Sequence, residues 1–258
     1  AGVLVGLACP AVGVFVVQRG LSLMGDGIGH VVFAGVAAGL LLSISPVVTA
    51  LIFAVAGAVA IEMLRQKGKA SSDVALALIF YTGIAGAVLL IGLGDTSMIK
   101  ITPYLFGSVL TISTTDLWVI SGVTIVALGT TIVLRRHLFA VAYDEQVARV
   151  SGLPVTRLNL LVAILAATTI AVTAKVVGVL LVASMLVLPV ATTQQLTRSF
   201  RSTFYGSLAV GVAVTTGGLI IAFYADQAPA ATIVLSSIGL FIVASLLQRT
   251  GIMRSRNA

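Results

Sequence analysis

Residues 24–42, MGDGIGHVVFAGVAAGLLL, combine a long run of apolar and small residues with two ionisable side chains, Asp26 and His30. The run predicts a membrane-embedded helix, because a span needs roughly 17 to 25 predominantly apolar residues. Residues four apart on a helix project from one face, so the carboxylate and the imidazole should lie side by side. Ionisable groups are costly inside a bilayer, and such a pair is therefore a candidate functional site.

The chemistry of this pair allows two interpretations. A carboxylate oxygen and an imidazole nitrogen are ligands that suit zinc, manganese or iron. Alternatively, the two side chains cap the helix and hold it against a neighbouring helix. Small residues continue at four-residue spacing, with Gly35 and Gly39 in one row and Ala34 and Ala38 in the next. Because small residues let helices pack closely in lipid, the pair should face protein.

The composition predicts an all-α, polytopic membrane protein. Hydrophobic residues make up 59% of the 258 residues and charged residues only 9%, whereas a soluble domain carries about 25% charged residues. The net charge of +7 does not indicate nucleic-acid binding, because the cations lie at the ends of apolar runs. Cys9 is the only cysteine, which excludes an intrachain disulfide or a thiolate cluster.

Nine apolar segments predict eight or nine transmembrane helices in a single transmembrane domain over residues 1–258. The stretch 157–191 is too long for one span and short for two, and only Lys175 interrupts it. We expect Lys175 to extend outward from a tight turn. The segments are 1–17, 27–42, 46–64, 73–94, 116–135, 157–174, 176–191, 204–223 and 229–247.

The basic residues predict the orientation of the chain. Cytoplasmic loops are enriched in Lys and Arg. If nine spans alternate, all the basic clusters lie on the cytoplasmic side, and so does the C-terminus. The expected location of the protein is the inner membrane. His30 then lies eleven residues after Arg19, at most about 16 Å from that membrane boundary. The clusters are Arg19, Arg65 to Lys69, Arg135 to His137, Arg149 with Arg157, Arg198 with Arg201, and Arg249 with Arg254 and Arg256.

The longest polar connector contains a predicted helix over 143–151, ended by Gly152 and Pro154. A short charged helix between two spans suits docking to a soluble partner; the alternative is a solvated loop with one helical turn.

Within the apolar run 176–191, Ser184 and Met185 are candidates for lining a pathway, with core packing as the alternative. Glu62 and Arg65 are predicted to pair, because residues three apart are neighbours on a helix.

Several motifs together resemble the permease subunits of bacterial metal-ion ABC importers, which take up zinc, manganese or iron. The resemblance spans about residues 10–245. It rests on VQRGLSLMGDGIGH at 17–30, GVA at 35–37, YLFG at 104–107, KVVGVLL at 175–181 and LPVAT at 188–192.

The resemblance implies a homodimeric or paired permease, two cytoplasmic ABC ATPase subunits and an extracytoplasmic metal-binding protein. It implies that Asp26 and His30 contact the ion in transit, and that segment 143–154 docks on the ATPase through Glu145, Ala148, Arg149 and Gly152. The chain itself contains no P-loop sequence. We therefore expect no enzymatic activity and no cofactor in this chain, with ATP bound by the partner subunit. Membrane lipid is an expected partner and nucleic acid is not.

The expected ion is zinc. Manganese-type permeases often carry a proline where this sequence has Ala34, and the form GDGIGH resembles zinc permeases of actinobacteria. The alternatives are a manganese or iron importer of the same family, an ABC permease for chelated iron or a vitamin, and an ion-coupled secondary carrier. A chelate permease would need a wide apolar cavity in place of the Asp–His pair.

Overall fold

The computed structural model describes residues 1–66, 72–94, 98–108 and 112–249. Within these ranges all regular secondary structure is helical, and turns or short irregular segments join the helices. The helices are α1 (Gly2–Gln18), α2 (Met24–Leu41), α3 (Pro46–Gln66), α4 (Ser72–Leu93), α5 (Met98–Phe106), α6 (Thr114–Val133), α7 (Arg135–Tyr143), α8 (Glu145–Val150), α9 (Val155–Val177), α10 (Val179–Leu196), α11 (Phe200–Ala225) and α12 (Pro229–Arg249).

Each of the nine predicted apolar segments corresponds to one of the long helices. Eight helices in the described residues are long and apolar enough to cross a membrane, and α1 is an apolar helix just below that length. The helical conformation is interrupted at Gly178, which divides the ambiguous stretch 157–191 into α9 and α10. The prediction of an all-α, polytopic bundle is confirmed. The predicted charged positions Lys67, Lys69, Arg254 and Arg256 lie outside the described residues.

The core of the bundle is built around α1, α2, α9 and α10. The side chains of Val12 and Phe15 on α1 are completely buried, as is Ile170 on α9. The outer helices α4, α6 and α12 expose large apolar side chains, such as Trp118 on α6, which is 77% exposed. Such side chains are stable in contact with lipid or with another membrane protein, so these helices lie on the outside of the bundle.

Most buried hydroxyl groups are satisfied by the helix that carries them. Thr124, Thr131 and Thr215 each donate a hydrogen bond to the carbonyl oxygen four residues earlier, at 2.7, 2.7 and 2.8 Å. Ser237 does the same at 2.9 Å. Because these donors find their acceptor in the preceding turn, they need no partner on a neighbouring helix.

The polar connector contains two helices, α7 and α8. The Asp144 carboxylate accepts hydrogen bonds from the backbone N–H groups of Gln146 and Val147, both at 2.9 Å, and so caps the start of α8. The predicted helix 143–151 therefore begins two residues later than expected. The sequence analysis missed α7, whose nine residues follow α6 with only Leu134 between them.

Two ion pairs fix helix ends. The predicted pair is confirmed, with Arg65 Nη1 lying 2.8 Å from Glu62 Oε2. Lys175 does not extend outward as predicted, because its Nζ lies 2.5 Å from Oδ2 of Asp116 on α6. Asp116 also accepts hydrogen bonds from the backbone N–H and hydroxyl of Ser113, so the same carboxylate caps α6 and joins it to α9.

Candidate functional site

Asp26 and His30 lie in the first two turns of α2 and line one cavity of about 470 Å³. The opposite wall belongs to α4, where Asp73, Leu76, Ala77, Phe80 and Tyr81 face the same space. The His30 ring meets Phe80 edge to face, with a centroid separation of 4.6 Å. The pair therefore occupies a space between two helices, as its predicted protein-facing orientation requires.

The position of His30 along the membrane is consistent with the expected upper bound of about 16 Å. Residues 19–23 form turns, and α2 begins only at Met24. His30 is six residues from that start, which corresponds to a rise of about 9 Å along the helix. Gly25, Gly27 and Gly29, which precede His30, thus belong to α2.

Helices α2 and α4 run in the same direction. A Cβ placed on Gly27 would lie 3.6 Å from the carbonyl oxygen of Leu76. A Cβ placed on Gly86 would lie 3.8 Å from the Cβ of Ala34, further along both helices. Since Asp73 precedes Leu76 by three residues, it is level with the beginning of α2, roughly half a turn before Asp26.

The two helices approach each other closely at His30. A Cβ on Gly83 would lie only 2.7 Å from both the carbonyl carbon of His30 and the backbone nitrogen of Val31. Only a residue without a side chain permits this distance. Gly83 therefore determines how closely α4 approaches the histidine.

One copy of the chain offers two candidate ligating side chains, Asp26 and His30. Across the described ranges, no group of three or more His, Cys, Asp or Glu side chains is close enough together to hold a metal ion. Asp73 shares the cavity but is not within joint ligating distance of the pair. Zinc in proteins is usually four-coordinate, so Asp26 and His30 of one copy provide half of such a ligand set.

Asp73 is the residue of this cavity that the sequence analysis missed. It lies in the first turn of α4, where an acidic residue is ordinarily explained by its favourable interaction with the helix dipole. The only sequence signal was an acid at the start of a predicted span. Its connection to Asp26 and His30 depends on the pairing of α2 with α4, which no local pattern reveals.

The predicted docking residues lie on and just after α8. Glu145 and Arg149 pair at 3.1 Å on the surface, while Ala148 is buried against the bundle. Two apolar side chains of the same helix, Val147 and Val150, are 61% and 90% exposed. The docking role of this segment stays a prediction.

A second, polar cavity of about 280 Å³ lies between α3, α8 and the start of α9, and its walls include Glu62, Glu145 and Asn159. Arg19, at the end of α1, interacts electrostatically with both of these glutamates. Burial, together with the nearby positive charge of Arg65, lowers the pKa of Arg19. Arg19, in the segment leading into α2, is thus close enough to Glu145 on α8 for their charges to interact.

Ser184 and Met185 do not line the cavity that contains Asp26 and His30. The Ser184 hydroxyl donates to the carbonyl oxygen of Leu181 at 2.5 Å, and Met185 is buried in the core. Their helix is nevertheless adjacent to the site, since a Cβ on Gly25 would lie 2.9 Å from the Cβ of Ala183. A pathway role for these two residues stays a prediction.

Comparison with solved structures shows the same fold. The structure of PsaBC from Streptococcus pneumoniae in complex with Fab matches 98% of this chain and 92% of that chain, with a TM-score of 0.85 at 29% identity. A metal-chelate type ABC transporter in an inward-facing conformation matches with a TM-score of 0.73. At 17% sequence identity, that second match supports the fold alone.

Sequence comparison extends the likeness along the whole chain. The manganese transport system membrane protein MntC of Halalkalibacterium halodurans is 33% identical over 245 residues, covering 95% of this chain and 84% of that protein. The high-affinity zinc uptake system membrane protein ZnuB of Haemophilus influenzae is 30% identical over 248 residues, covering 96% and 95%. A family model, the ABC 3 transport family, matches residues 1–248. The family resemblance inferred from short motifs is confirmed, and the chain belongs to the ABC 3 transport family.

Proposed function

We propose that this chain is the membrane permease of an ATP-driven importer for a divalent metal ion, and that Asp26 and His30 contact the ion in transit. The observation that carries the proposal is the cavity between α2 and α4, into which both side chains project. Because ionisable groups inside a membrane bundle cost free energy, they usually mark a functional site. A carboxylate oxygen and an imidazole nitrogen suit a divalent metal ion of borderline hardness.

The preferred ion in this proposal is zinc, with manganese or iron as the alternatives. Relatives of similar identity are named for manganese and for zinc, so identity does not discriminate between them. The zinc assignment is supported by the GDGIGH form and by Ala34 where manganese-type permeases often have proline. Competition between zinc, manganese and ferrous ions during uptake into proteoliposomes tests it, and a clear preference for manganese would replace zinc in the proposal.

A second copy of the chain would complete the site. The cavity reaches the surface of the single chain, where Leu23 and Tyr81 are 63% and 68% exposed. Two copies related by a two-fold axis would bring two Asp–His pairs together and supply four ligands. Such a site can hold the ion and still release it, because transport requires binding that is not too tight.

The other subunits of the proposed importer follow from its mechanism of alternating access. An extracytoplasmic metal-binding protein delivers the ion, Asp26 and His30 hold it, and two cytoplasmic ATPases drive its release into the cytoplasm. The charge distribution along the sequence supports an orientation with α8 and the C-terminus on the cytoplasmic side, where the ATPases would bind. The exposed valines of α8 support docking of the ATPase at this helix.

The competing functions differ in what drives and stimulates transport. A permease for chelated iron or a vitamin would show ATPase stimulation by the chelate and not by free ions. A secondary carrier would transport under an ion gradient without any ATPase. Reconstitution of the permease with its ATPase and binding protein separates all three, and uptake of free zinc that requires ATP hydrolysis is the result expected here.

Asp73 is expected to assist release of the ion toward the cytoplasm. In the proposed orientation it lies on the cytoplasmic side of Asp26 within the same cavity. Asp73→Asn should therefore lower the maximal rate of uptake severalfold, while the external metal concentration at half-maximal rate changes little. Uptake measured against metal concentration in proteoliposomes distinguishes these two quantities.

Asp226→Asn provides the control for loss of one carboxylate. Asp226 ends α11 with a φ of 51°, a conformation that asparagine also adopts readily. If Asp73→Asn and Asp226→Asn transport at the same rate as the unaltered chain, Asp73 has no part in release.

Gly152→Val is expected to weaken ATPase coupling. Gly152 has a φ of 80°, and nothing lies within 4 Å of a Cβ placed there, so a substitution acts through backbone strain and not through a clash. A β-branched residue in this conformation costs on the order of 1–3 kcal/mol, which should displace the turn between α8 and α9. We expect reduced co-purification of the ATPase, or hydrolysis that no longer responds to metal.

Gly152→Asn is the matched control, because asparagine tolerates positive φ better than valine. It should retain most of the coupled transport. Normal stoichiometry and normal metal-stimulated hydrolysis in the valine variant would contradict a docking role for this turn.

A further inference from the structure

A basic pocket of about 300 Å³ lies between α7 and the beginning of α11, away from the Asp–His cavity. Arg135, Arg136 and Arg201 contribute three positive charges to its walls, and the side chains of Phe139, Phe200 and Tyr205 also line it. The pocket therefore combines a cluster of guanidinium groups with an aromatic surface.

The three arginines have no carboxylate partner within the part of the chain that the structure describes. The acidic residues that follow α7 are engaged elsewhere, since Asp144 caps α8 and Glu145 pairs with Arg149. Arg135 donates from Nη1 to the Tyr205 hydroxyl at 3.4 Å, a contact with a neutral group. Three neighbouring guanidinium groups without an anion form a strongly positive surface that favours binding of one.

The pocket has a rigid apolar base. The rings of Phe139 and Phe200 pack with centroids 4.5 Å apart, and Phe200 also meets Phe15 of α1 at 5.6 Å. Phe15 and Phe204 are buried, so this cluster fixes α7 against the bundle. The aromatic rings are held in place by packing on one another. The guanidinium groups are therefore not needed to hold this base together and can bind a ligand.

The location of the pocket indicates what the anion is. Val133, the last residue of α6, is 77% exposed on the apolar surface immediately before Arg135. Phe200 begins the long apolar helix α11. The arginines thus lie where lipid-facing surface ends, at the depth of the phospholipid headgroups, and the charge distribution of the sequence places this boundary on the cytoplasmic side.

We propose that this pocket binds the phosphate of an anionic phospholipid headgroup, with Arg135, Arg136 and Arg201 around the phosphate and the aromatic side chains beside the start of the acyl chains. Guanidinium groups bind phosphate oxygens through two parallel hydrogen bonds. Basic pockets between transmembrane helices on the cytoplasmic side recognise such headgroups. The lipid would hold α7 at the membrane surface, next to the turn that leads into α8.

Titration of the purified permease with short-chain phosphatidylglycerol tests the proposal, with phosphatidylcholine as the lipid that carries no net charge. We expect phosphatidylglycerol to bind in preference to phosphatidylcholine. Arg136→Gln and Arg201→Gln should each weaken its binding roughly fivefold, which is the contribution of one basic residue near an anionic membrane surface. Arg157→Gln, which removes the same charge from an exposed cytoplasmic position outside the pocket, should leave the affinity unchanged.

Three results would overturn the proposal. The first is equal binding by the pocket variants and the Arg157 control. The second is complete displacement of the lipid by an equal concentration of inorganic phosphate, which would make the site one for a soluble phosphate. The third is loss of the co-purified ATPase in the pocket variants with lipid binding unchanged, which would assign this surface to the protein partner.

Discussion

His30→Ala and Asp26→Asn are each expected to abolish metal uptake while expression and membrane assembly remain nearly normal. Each change removes one of the two proposed ligands, both of which line the α2–α4 cavity. The double variant should be little worse than either single variant, because two ligands of one ion act as a unit. Uptake of radioactive zinc into proteoliposomes, alongside quantification of the assembled complex, measures both effects.

The pH dependence of uptake provides a second readout of the same assignment. An imidazole must be neutral to ligate a metal, so proton and metal compete for one nitrogen of His30. Apparent metal affinity should weaken as the medium is acidified through the range in which histidine titrates, near about pH 6.5, and more metal should restore the rate. An affinity that stays flat from about pH 5.5 to 8 would mean that His30 is not a ligand. The pair would then serve only to cap α2 and hold it to its neighbours.

Gly83→Val is expected to remove most uptake although it replaces neither Asp26 nor His30. The added side chain would begin 2.7 Å from the backbone of His30 and Val31, and neither backbone atom can move independently of α2. Overpacking of this kind costs typically about 1–3 kcal/mol. We expect a lower midpoint of thermal unfolding in detergent and a displaced imidazole, both measurable on the purified permease.

Gly92→Val is the matched control on the same helix, because nothing lies within 4 Å of a Cβ placed on Gly92. Its uptake and unfolding midpoint should resemble those of the unaltered chain. Equal behaviour of the two variants would show that the close approach at Gly83 does not determine the position of His30.

The sequence predicted those features that depend on local composition and spacing. The apolar runs located all nine long helices within a few residues, and the Asp–His spacing identified the two side chains that share a cavity. The pairing of α2 with α4 was not accessible, because it depends on which distant glycine faces His30. Asp73 was missed for the same reason. Its local context, an acid at a helix start, is explained equally well by the helix dipole.

The errors elsewhere arose from charges whose partners are distant in sequence. Lys175 was expected to extend outward from a tight turn. Its partner, Asp116, lies 59 residues away. The helix α7 was read as part of a polar connector because its three basic residues obscure the apolar side chains that pack onto α1 and α11. In both cases a contact between helices decided the local structure.

The hydroxyl groups that bond within their own helices affect how easily the bundle can rearrange. Thr124, Thr131, Thr215 and Ser237 carry their acceptors with them when a helix tilts or slides. An interhelical hydrogen bond in a membrane is worth about 0.6 kcal/mol on average, and it must break whenever its two helices move apart. Contacts made of glycine, alanine and self-satisfied hydroxyls impose no such barrier. Where helices meet through such contacts, only side-chain packing resists their relative movement. A transport cycle can then shift them without exposing an unpaired polar group to lipid.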